Sequence, residues 1–322
     1  MDQSPMTRQY RTILGAVVLL LVGFLSEAAT AGTDVAIFVR DSLTSTSRTL
    51  HGAKKVIRRE HPDVVFHDFL IQNEPDENLK IIDSLNIVKP RLILTVGSSA
   101  TEFARDNFEN VPIVFSAVKY PVLSGFAASM NHPGGNLTGA SLNIPIDVQF
   151  KYFREIVPDL KRIGVFYTDN TASLISQARV VAQSAGLELI PAKIDDIKML
   201  PQALDSLAVS AQAIWTVADP NLFDPRSTRY LLLNCLRKGL PLMGFSRHVV
   251  ESGALFALDF DYKAIGFQAG AIANRVIDGA SPADIPISLA DVIWFHYNQN
   301  TAERIGITIP DELVAVAKEV YR

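Results

Sequence analysis

Two serines follow a short apolar run at a point where a helix is about to begin. The run Leu92-Ile93-Leu94-Thr95-Val96 is typical of a buried parallel strand, and Gly97 leads from it into Ser98 and Ser99. Free backbone N–H groups at a helix start attract an anion, and serine hydroxyls add donors. The pattern therefore predicts a carboxylate-binding loop at Ser98 and Ser99. An alternative stays open, because Ser99-x-x-Glu102 is also the pattern of a capping box, which needs no ligand.

A second hydroxyl-rich segment follows the first predicted strand. Ser42 and Thr44 stand at another strand-to-helix transition. Carboxyl ends of parallel strands meet at one edge of a sheet, where open α/β sheets bind ligands. These hydroxyls are therefore candidates to line a ligand cleft, and an ordinary helix N-cap explains them equally well.

A lysine and a tyrosine follow another strand that the sequence predicts to be buried. The apolar run Val111–Phe115 ends at Ser116, and Lys119 and Tyr120 come shortly after it. Ser116 is a further candidate donor to a carboxylate, Lys119 would attract an anion, and Tyr120 would stack on a ring. The alternative is an exposed lysine beside a tyrosine packed on the rim.

Acidic and aromatic side chains follow the strands predicted in the second half of the chain. Asp219 is the preferred partner for a ligand ammonium, because a carboxylate beside a cleft binds a cation through a charge-assisted hydrogen bond. Phe245 would supply apolar or ring contact. Asp169 and Asp261 are also candidates, with a turn former and a helix cap as their alternatives. Arg247 contacts either the ligand or Glu251, four residues along a helix.

The sequence lacks the patterns that are typical of metal sites and of catalytic sites. The histidines at 51, 61, 67, 132, 248 and 296 lack the spacing of a zinc site. The sequence contains no G-x-G-x-x-G, no phosphate-loop GK[ST] and no G-x-S-x-G. We therefore expect no metal, no cofactor and no catalytic residue.

The elements that position these residues alternate between strand and helix along the whole chain. Such alternation predicts doubly wound parallel sheets rather than a sandwich. The predicted strands are Val35–Val39, Val64–Phe69, Leu92–Val96, Ile113–Ala117, Arg162–Tyr167, Glu188–Lys193, Ala213–Val217, Leu242–Gly244 and Leu255–Leu258. Pro121–Gly125 is expected to lead into a short helix, the turn formers from Asn131 to Asn136 end it, and a crossover is expected near Gly134 to Ser141. Two series joined by a crossover predict two lobes with a cleft between them.

The amino-terminal residues have the order of a secretory signal peptide. Arg8 and Arg11 precede the apolar run Thr12–Leu25, and Ala29-Thr30-Ala31 provides a cleavage site before Gly32. The run is shorter than the roughly 20 residues that span a bilayer, which disfavours a permanent anchor. The net charge of −4 gives no sign of nucleic-acid binding. The single cysteine, Cys235, lies in an apolar segment and is predicted to be a small buried core residue.

Three ordered segments make the chain resemble a known family. They are VPIVFSAVKYPVLSGFAASMNHPGGNLTGAS (111–141), LPLMGFSRHVVESGAL (240–255) and AERIGITIPDELVAVAKEV (302–320). Together they resemble the ABC-transporter substrate-binding proteins, a family with the periplasmic binding protein type I fold whose members include receptors for aromatic amino acids. Many relatives carry an acid immediately before the proline, where this chain has Tyr120. That departure puts the usual ligand class in question.

The resemblance implies a fold, a division into lobes and a function. It implies two doubly wound parallel-sheet α/β lobes, with 32–142 plus 263–284 as lobe 1 and 143–262 plus 285–322 as lobe 2. Asp261 would cap a helix that returns to lobe 1. The function implied is a periplasmic, monomeric receptor that presents a small carboxylate-bearing solute to an ABC permease in the inner membrane. An aromatic or apolar amino acid is the first choice of solute.

Two other function classes stay open at this point. An extracytoplasmic sensory protein of the same fold would close on its ligand and engage a membrane receptor. A secreted α/β enzyme is the third class, although no residue pattern nominates a nucleophile and its base. A repressor of related fold is disfavoured, because the signal segment stands where a DNA-binding helix pair would be needed.

Overall fold

The computed structural model of the chain describes residues 33–72 and 74–322. The secretory signal predicted for residues 1–31 lies outside them. Among the described residues, no helix is long and apolar enough to cross a membrane. The strands in these ranges form two separate sheets, and the polypeptide passes between them more than once.

The first sheet is built from strands that are all parallel. They are β1 (Asp34–Val39), β2 (Val65–Leu70), β3 (Leu92–Val96), β4 (Ile113–Val118) and β5 (Leu137–Ser141), in the spatial order β2-β1-β3-β4-β5. Helices α1 (Thr44–Glu60), α2 (Pro75–Val88) and α3 (Ser98–Asn107) connect the first four strands. The strand order reverses between β1 and β3, so the segments after them border a crevice at the carboxyl edge.

The second sheet has seven strands within the described residues. They are β6 (Arg162–Tyr167), β7 (Glu188–Lys193), β8 (Ala213–Trp215), β9 (Leu242–Gly244), β10 (Phe256–Phe260), β11 (Ile293–Asn298) and β12 (Ala317–Tyr321), in the order β12-β11-β10-β9-β8-β6-β7. The helices are α4 (Ile146–Ile156), α5 (Ala172–Ser184), α6 (Leu200–Ser210), α7 (Pro225–Arg237), α8 (Arg247–Glu251), α10 (Gln299–Ile305) and α11 (Asp311–Val316). The predicted two-lobed α/β class is confirmed. Two strands differ from an all-parallel arrangement, because β11 runs antiparallel to β10 and β12 runs parallel to β11.

Helix α9 (Tyr262–Ile277) follows β10 in the chain but packs in the first lobe, against α1. Glycines allow the two backbones to approach closely. A Cβ atom at Gly266 would lie 2.0 Å from the carbonyl oxygen of Thr49, and one at Gly52 would lie 2.5 Å from the carbonyl oxygen of Lys263. Any side chain at these positions would force the helices apart.

The segment that follows α9 also contacts the first lobe. Ile285 and Ile287 are buried in its core clusters, and Ser288 bridges to Ala140 at the edge of β5. The sequence assigned residue 285 onwards to the second lobe, whereas the structure packs the chain against the first lobe as far as Ala290. The reason is apolar burial, since these residues complete the side of the core next to β5.

Two further segments differ from the prediction. The expected short helix after Pro121–Gly125 is wrong, because the chain makes successive turns there, with a left-handed backbone at Gly125 (φ 71°). The predicted crossover at 134–141 contains strand β5, which completes the first sheet.

Cys235 lies in the core of the second lobe and is 2% exposed. Burial raises the pKa of its thiol to about 12. The prediction of a small buried core residue is confirmed.

Candidate ligand-binding cleft

A cavity of about 60 Å³ lies where the carboxyl ends of the two sheets face each other. Both lobes and the connection between them contribute to its wall. The lining residues are Lys119, Tyr120, Leu142, Asn143, Ile144, Gln149, Trp215, Thr216, Val217, Ala218, Met243, Gly244, Phe245, Leu258 and Phe260. The wall is therefore mostly apolar and aromatic, with a few polar groups, as is usual for small-molecule sites.

The end of β4 is irregular just before Lys119 and Tyr120, two of the residues that line the cavity. The pairing with β5 shifts register between Ser116 and Val118, and Ala117 between them has a left-handed backbone (φ 56°). Bulges of this kind redirect side chains and are frequent next to functional sites. Tyr120 is also left-handed (φ 49°), and its N–H donates to Oδ1 of Asn143 at 2.8 Å.

Lys119 lines the cavity but is exposed to solvent, whereas Tyr120 is half-buried, which agrees with the alternative of an exposed lysine beside a packed tyrosine. Burial lowers the pKa of the Lys119 ammonium, and attraction to Asp259 offsets only part of that effect. Burial raises the pKa of the Tyr120 phenol to about 12, so the ring is neutral at physiological pH. Tyr120 also packs against the apolar core of the second lobe and thus contacts both lobes.

The second lobe supplies the aromatic wall. Trp215 is 1% exposed, its Nε1 donates to Oε1 of Gln149 at 2.8 Å, and its ring meets that of Phe150 edge to face. Phe245 is half-buried and lies 5.1 Å from the ring of Phe223. These contacts hold rigid rings beside the cavity, and such rings offer a ligand a large apolar surface at little entropic cost.

The serines predicted at the edge of the first sheet occupy different environments. Ser98 and Ser99 begin α3 and are exposed, and Gly97, not a serine, is the N-cap. The capping-box interpretation of Ser99 and Glu102 is wrong, because no side chain caps this helix. Ser116 is fully buried, and its hydroxyl donates to the carbonyl oxygen of Thr95 at 2.8 Å, which takes it out of the cavity.

Ser42 and Thr44 are exposed beside the start of α1. Neither of them caps the helix, whose N-cap position is Leu43 with no side-chain bond. Asp41 bridges this turn instead, because its Oδ1 accepts from the N–H of Leu43 and from the hydroxyl of Thr46. The hydroxyls of Ser42 and Thr44 therefore remain accessible at the edge of the first sheet.

The structure gives Asp219 a role other than the ammonium contact expected from the sequence. Its side chain is 2% exposed and does not line the cavity. Oδ2 accepts from the hydroxyls of Thr168 at 2.7 Å and Thr171 at 3.0 Å, and Oδ1 accepts from the N–H of Asn221. Asp219 thus ties the ends of β6 and β8 together.

The other charged candidates also have partners outside the cavity. Asp169 is exposed and pairs with Lys193 at 3.0 Å. Arg247 pairs with Glu319 at 3.4 Å and not with Glu251, the partner that the sequence suggested. Asp261 accepts from the first backbone N–H groups of α9, so its interpretation as a helix cap is confirmed.

Replacing Asp219 by alanine should lower stability without changing ligand selectivity. The variant leaves two buried hydroxyl donors and one N–H without their acceptor, and a single such group costs roughly 1–3 kcal/mol. Denaturant unfolding should show that loss, and calorimetry should show an unchanged ratio of affinities for an amino acid and its des-amino analogue. A changed ratio at unchanged stability would return Asp219 to the ligand site.

Several cavity residues had no distinguishing signal in the sequence. Trp215, Gln149 and Phe260 lie in segments with ordinary strand or helix patterns, and only the three-dimensional arrangement brings them together. The useful signal was the position at the carboxyl end of a strand, which indicated Lys119, Tyr120 and Phe245, and these three residues line the cavity.

A family profile described as ABC transporter substrate binding protein matches residues 36–321. The chain belongs to this family. Members bind a small molecule outside the cytoplasm and work with an ABC transporter, and both the family and its fold are those of binding proteins rather than enzymes. The resemblance stated from the sequence is thereby confirmed.

Two curated relatives align with the chain, and about a quarter of the aligned residues are identical. A tyrosine-binding protein of Clostridioides difficile is 26% identical over 241 residues, covering 73% of this chain and 69% of the relative. An uncharacterized protein of Rickettsia prowazekii is 22% identical over 226 residues, covering 69% and 70% of the two chains.

Solved structures share the fold at low sequence identity. A ligand-free, open substrate-binding protein with adhesive properties from Clostridium difficile has a TM-score of 0.76 at 19% identity, covering 90% of this chain and 99% of that one. The ABC domain from Streptococcus pneumonia in complex with L-Trp has a TM-score of 0.66 at 20% identity, covering 90% and 100%. At these identities the likeness establishes the two-lobed fold.

Proposed function

We propose that this chain is the solute-binding component of an ABC importer and holds a small carboxylate-bearing solute with an aromatic or apolar body. Aromatic and apolar amino acids belong to this class. The observation that carries the proposal is the cavity between the lobes, which Trp215, Phe245 and Phe260 line together with Lys119. A tyrosine-binding relative and a fold neighbour in complex with L-Trp support a ring-bearing solute.

The carboxylate would bind at the adjoining ends of β3 and β4. Helix α3 begins there with no side-chain cap, so its first N–H groups are available to an anion. The N–H of Gly97 donates to the carbonyl oxygen of Ser116 at 2.9 Å, which keeps this helix start next to the strand that leads to Lys119. An anion would therefore meet helix amides, serine hydroxyls and a cation together.

Entry of such a solute requires the lobes to move. Small-molecule sites usually measure roughly 300–1,000 Å³, and the cavity measures about 60 Å³. Since Tyr120 packs on the core of the second lobe, separating the lobes would withdraw it and widen the cavity. Closure over the solute would then exclude water and present the closed form to a permease.

The compartment and the partner belong to the same proposal. We propose export through the segment 1–31 and delivery of the solute, by a monomer in the periplasm, to an ABC permease of the inner membrane. The charged start, the apolar run and Ala29-Thr30-Ala31 support export.

Calorimetry on protein stripped of bound solute tests this function. We expect tight binding of at least one ring-bearing carboxylate, and loss of binding when the carboxylate is replaced by the neutral amide. Ser99→Ala should weaken binding about tenfold, because a hydrogen bond to a charged group is worth roughly 1.5–3 kcal/mol. Ser47→Ala, an exposed position on α1, is the matched control. Equal binding of acid and amide would reject the carboxylate assignment.

A further inference from the structure

Lys119 places a positive charge in a cavity whose other lining residues are apolar, aromatic or neutral polar. Within residues 33–72 and 74–322, its ammonium has neither a hydrogen-bond partner nor an ion-pair partner. Desolvation is the largest influence on this group, and it disfavours the charged form. An unpaired ammonium of this kind is stabilised most by a ligand that places an anion beside it.

Neither Asp219 nor Asp259 is among the residues that line the cavity, and both accept hydrogen bonds from other protein groups. Asp219 accepts from two hydroxyls and one N–H outside the cavity. Asp259 is 9% exposed and accepts from the N–H groups of Phe260 at 2.8 Å and Arg247 at 3.3 Å. The attraction of Asp259 to the Lys119 ammonium is weaker than the opposing effect of desolvation.

An α-amino acid brings both charges on neighbouring atoms. Its carboxylate would pair with Lys119, but its ammonium would then lie close to the same lysine. Like charges repel, and no aspartate or glutamate is among the residues that line this cavity to pair with the ammonium. A carboxylate without the amino group keeps the attraction and avoids the repulsion.

We propose that the site selects aromatic or apolar monocarboxylates that lack an α-ammonium group, such as 3-arylpropionates, over the corresponding amino acids. The inference rests on the proposed function and narrows its solute class. Lys119 is the residue that sets the preference, because it recognises the anion and repels the cation of a zwitterion.

Matched pairs that differ only in the amino group test the selectivity directly. The pairs are 3-phenylpropionate with L-phenylalanine, 3-(4-hydroxyphenyl)propionate with L-tyrosine, and indole-3-propionate with L-tryptophan. Calorimetry on the solute-free protein should give a Kd at least about tenfold lower for the propionate in the best-binding pair. Tighter binding of the amino acid would overturn this inference and leave the proposed function intact. Binding of neither member would overturn both.

Substitution of Lys119 shows whether this residue causes the preference. In Lys119→Gln the propionate should bind about tenfold more weakly, whereas the amino acid should change little, so the ratio between them should shrink. Lys55→Gln removes the same charge from an exposed position of α1 and should leave both affinities unchanged. A ratio that stays the same in Lys119→Gln would contradict the role assigned to Lys119, even if the wild-type protein prefers propionates.

Discussion

Replacing Gly266 by alanine should lower the free energy of unfolding by roughly 3 kcal/mol, because overpacking typically costs 1–3 kcal/mol and this clash is with backbone. The added Cβ would lie 2.0 Å from the carbonyl oxygen of Thr49 and 3.0 Å from the backbone nitrogen of Ala53. A main-chain carbonyl in the middle of α1 cannot rotate away as a side chain can. Helices α1 and α9 would have to separate along their contact.

Thermal unfolding followed by circular dichroism measures this effect. A loss of that size should lower the melting temperature by roughly 6–12 °C for a chain of this length. Gly135→Ala is the matched control, because a Cβ there would have no atom within 4 Å and the residue is exposed. If both variants melted together, the close approach of α1 and α9 would not describe the protein in solution.

Elements with strong periodicity were predicted well from the sequence. The strands around Leu92–Val96 and Arg162–Tyr167 were predicted with the bounds that the structure has. Each is an apolar, β-branched run closed by polar or small residues, and burial in a parallel sheet demands that composition. Strand β5 was missed because its sequence, LTGAS, has little apolar content to mark it.

Local capping patterns were less informative, because several hydrogen-bonding outcomes share one pattern. Ser99-x-x-Glu102 has the spacing of a capping box, yet Gly97 is the N-cap and Ser99 is exposed. Asp261 and Asp219 both follow a strand of the second sheet, and one caps a helix while the other joins two loops. Which donors a carboxylate finds depends on the neighbouring strand, and the sequence near the residue does not contain that information.

The position of the cleft could be predicted from the sequence better than the residues that line it. Because the strands are parallel, their carboxyl ends were known to meet, and this placed Lys119, Tyr120 and Phe245 near one another. The sequence did not indicate the irregularity at Ala117, two residues before Lys119. It also did not indicate that Trp215 would form part of the wall, because a tryptophan at the end of a strand is equally suited to a core.

Replacing Phe245 by alanine should weaken binding of the best ring-bearing carboxylate roughly 30- to 150-fold, since burying an aromatic side chain is worth about 2–3 kcal/mol. The ring lines the cavity and lies 5.1 Å from that of Phe223. The ring also packs against the apolar core of the second lobe. The ring is therefore held in place before the ligand arrives.

Phe245→Leu separates the loss of apolar area from the loss of the ring. Leucine keeps most of the apolar surface, so the affinity of Phe245→Leu should fall between those of the wild type and of Phe245→Ala. The difference in affinity between the wild type and Phe245→Leu then reports the ring-to-ring contact. Phe267→Ala is the matched control, because this ring lies on α9, under the ammonium of Lys263 at 5.5 Å and outside the cavity. Calorimetry with the same carboxylate should give the wild-type affinity for that control. If Phe245→Ala kept the wild-type affinity, the solute would bind elsewhere in the cleft, because removal of a ring that contacts the ligand lowers the affinity.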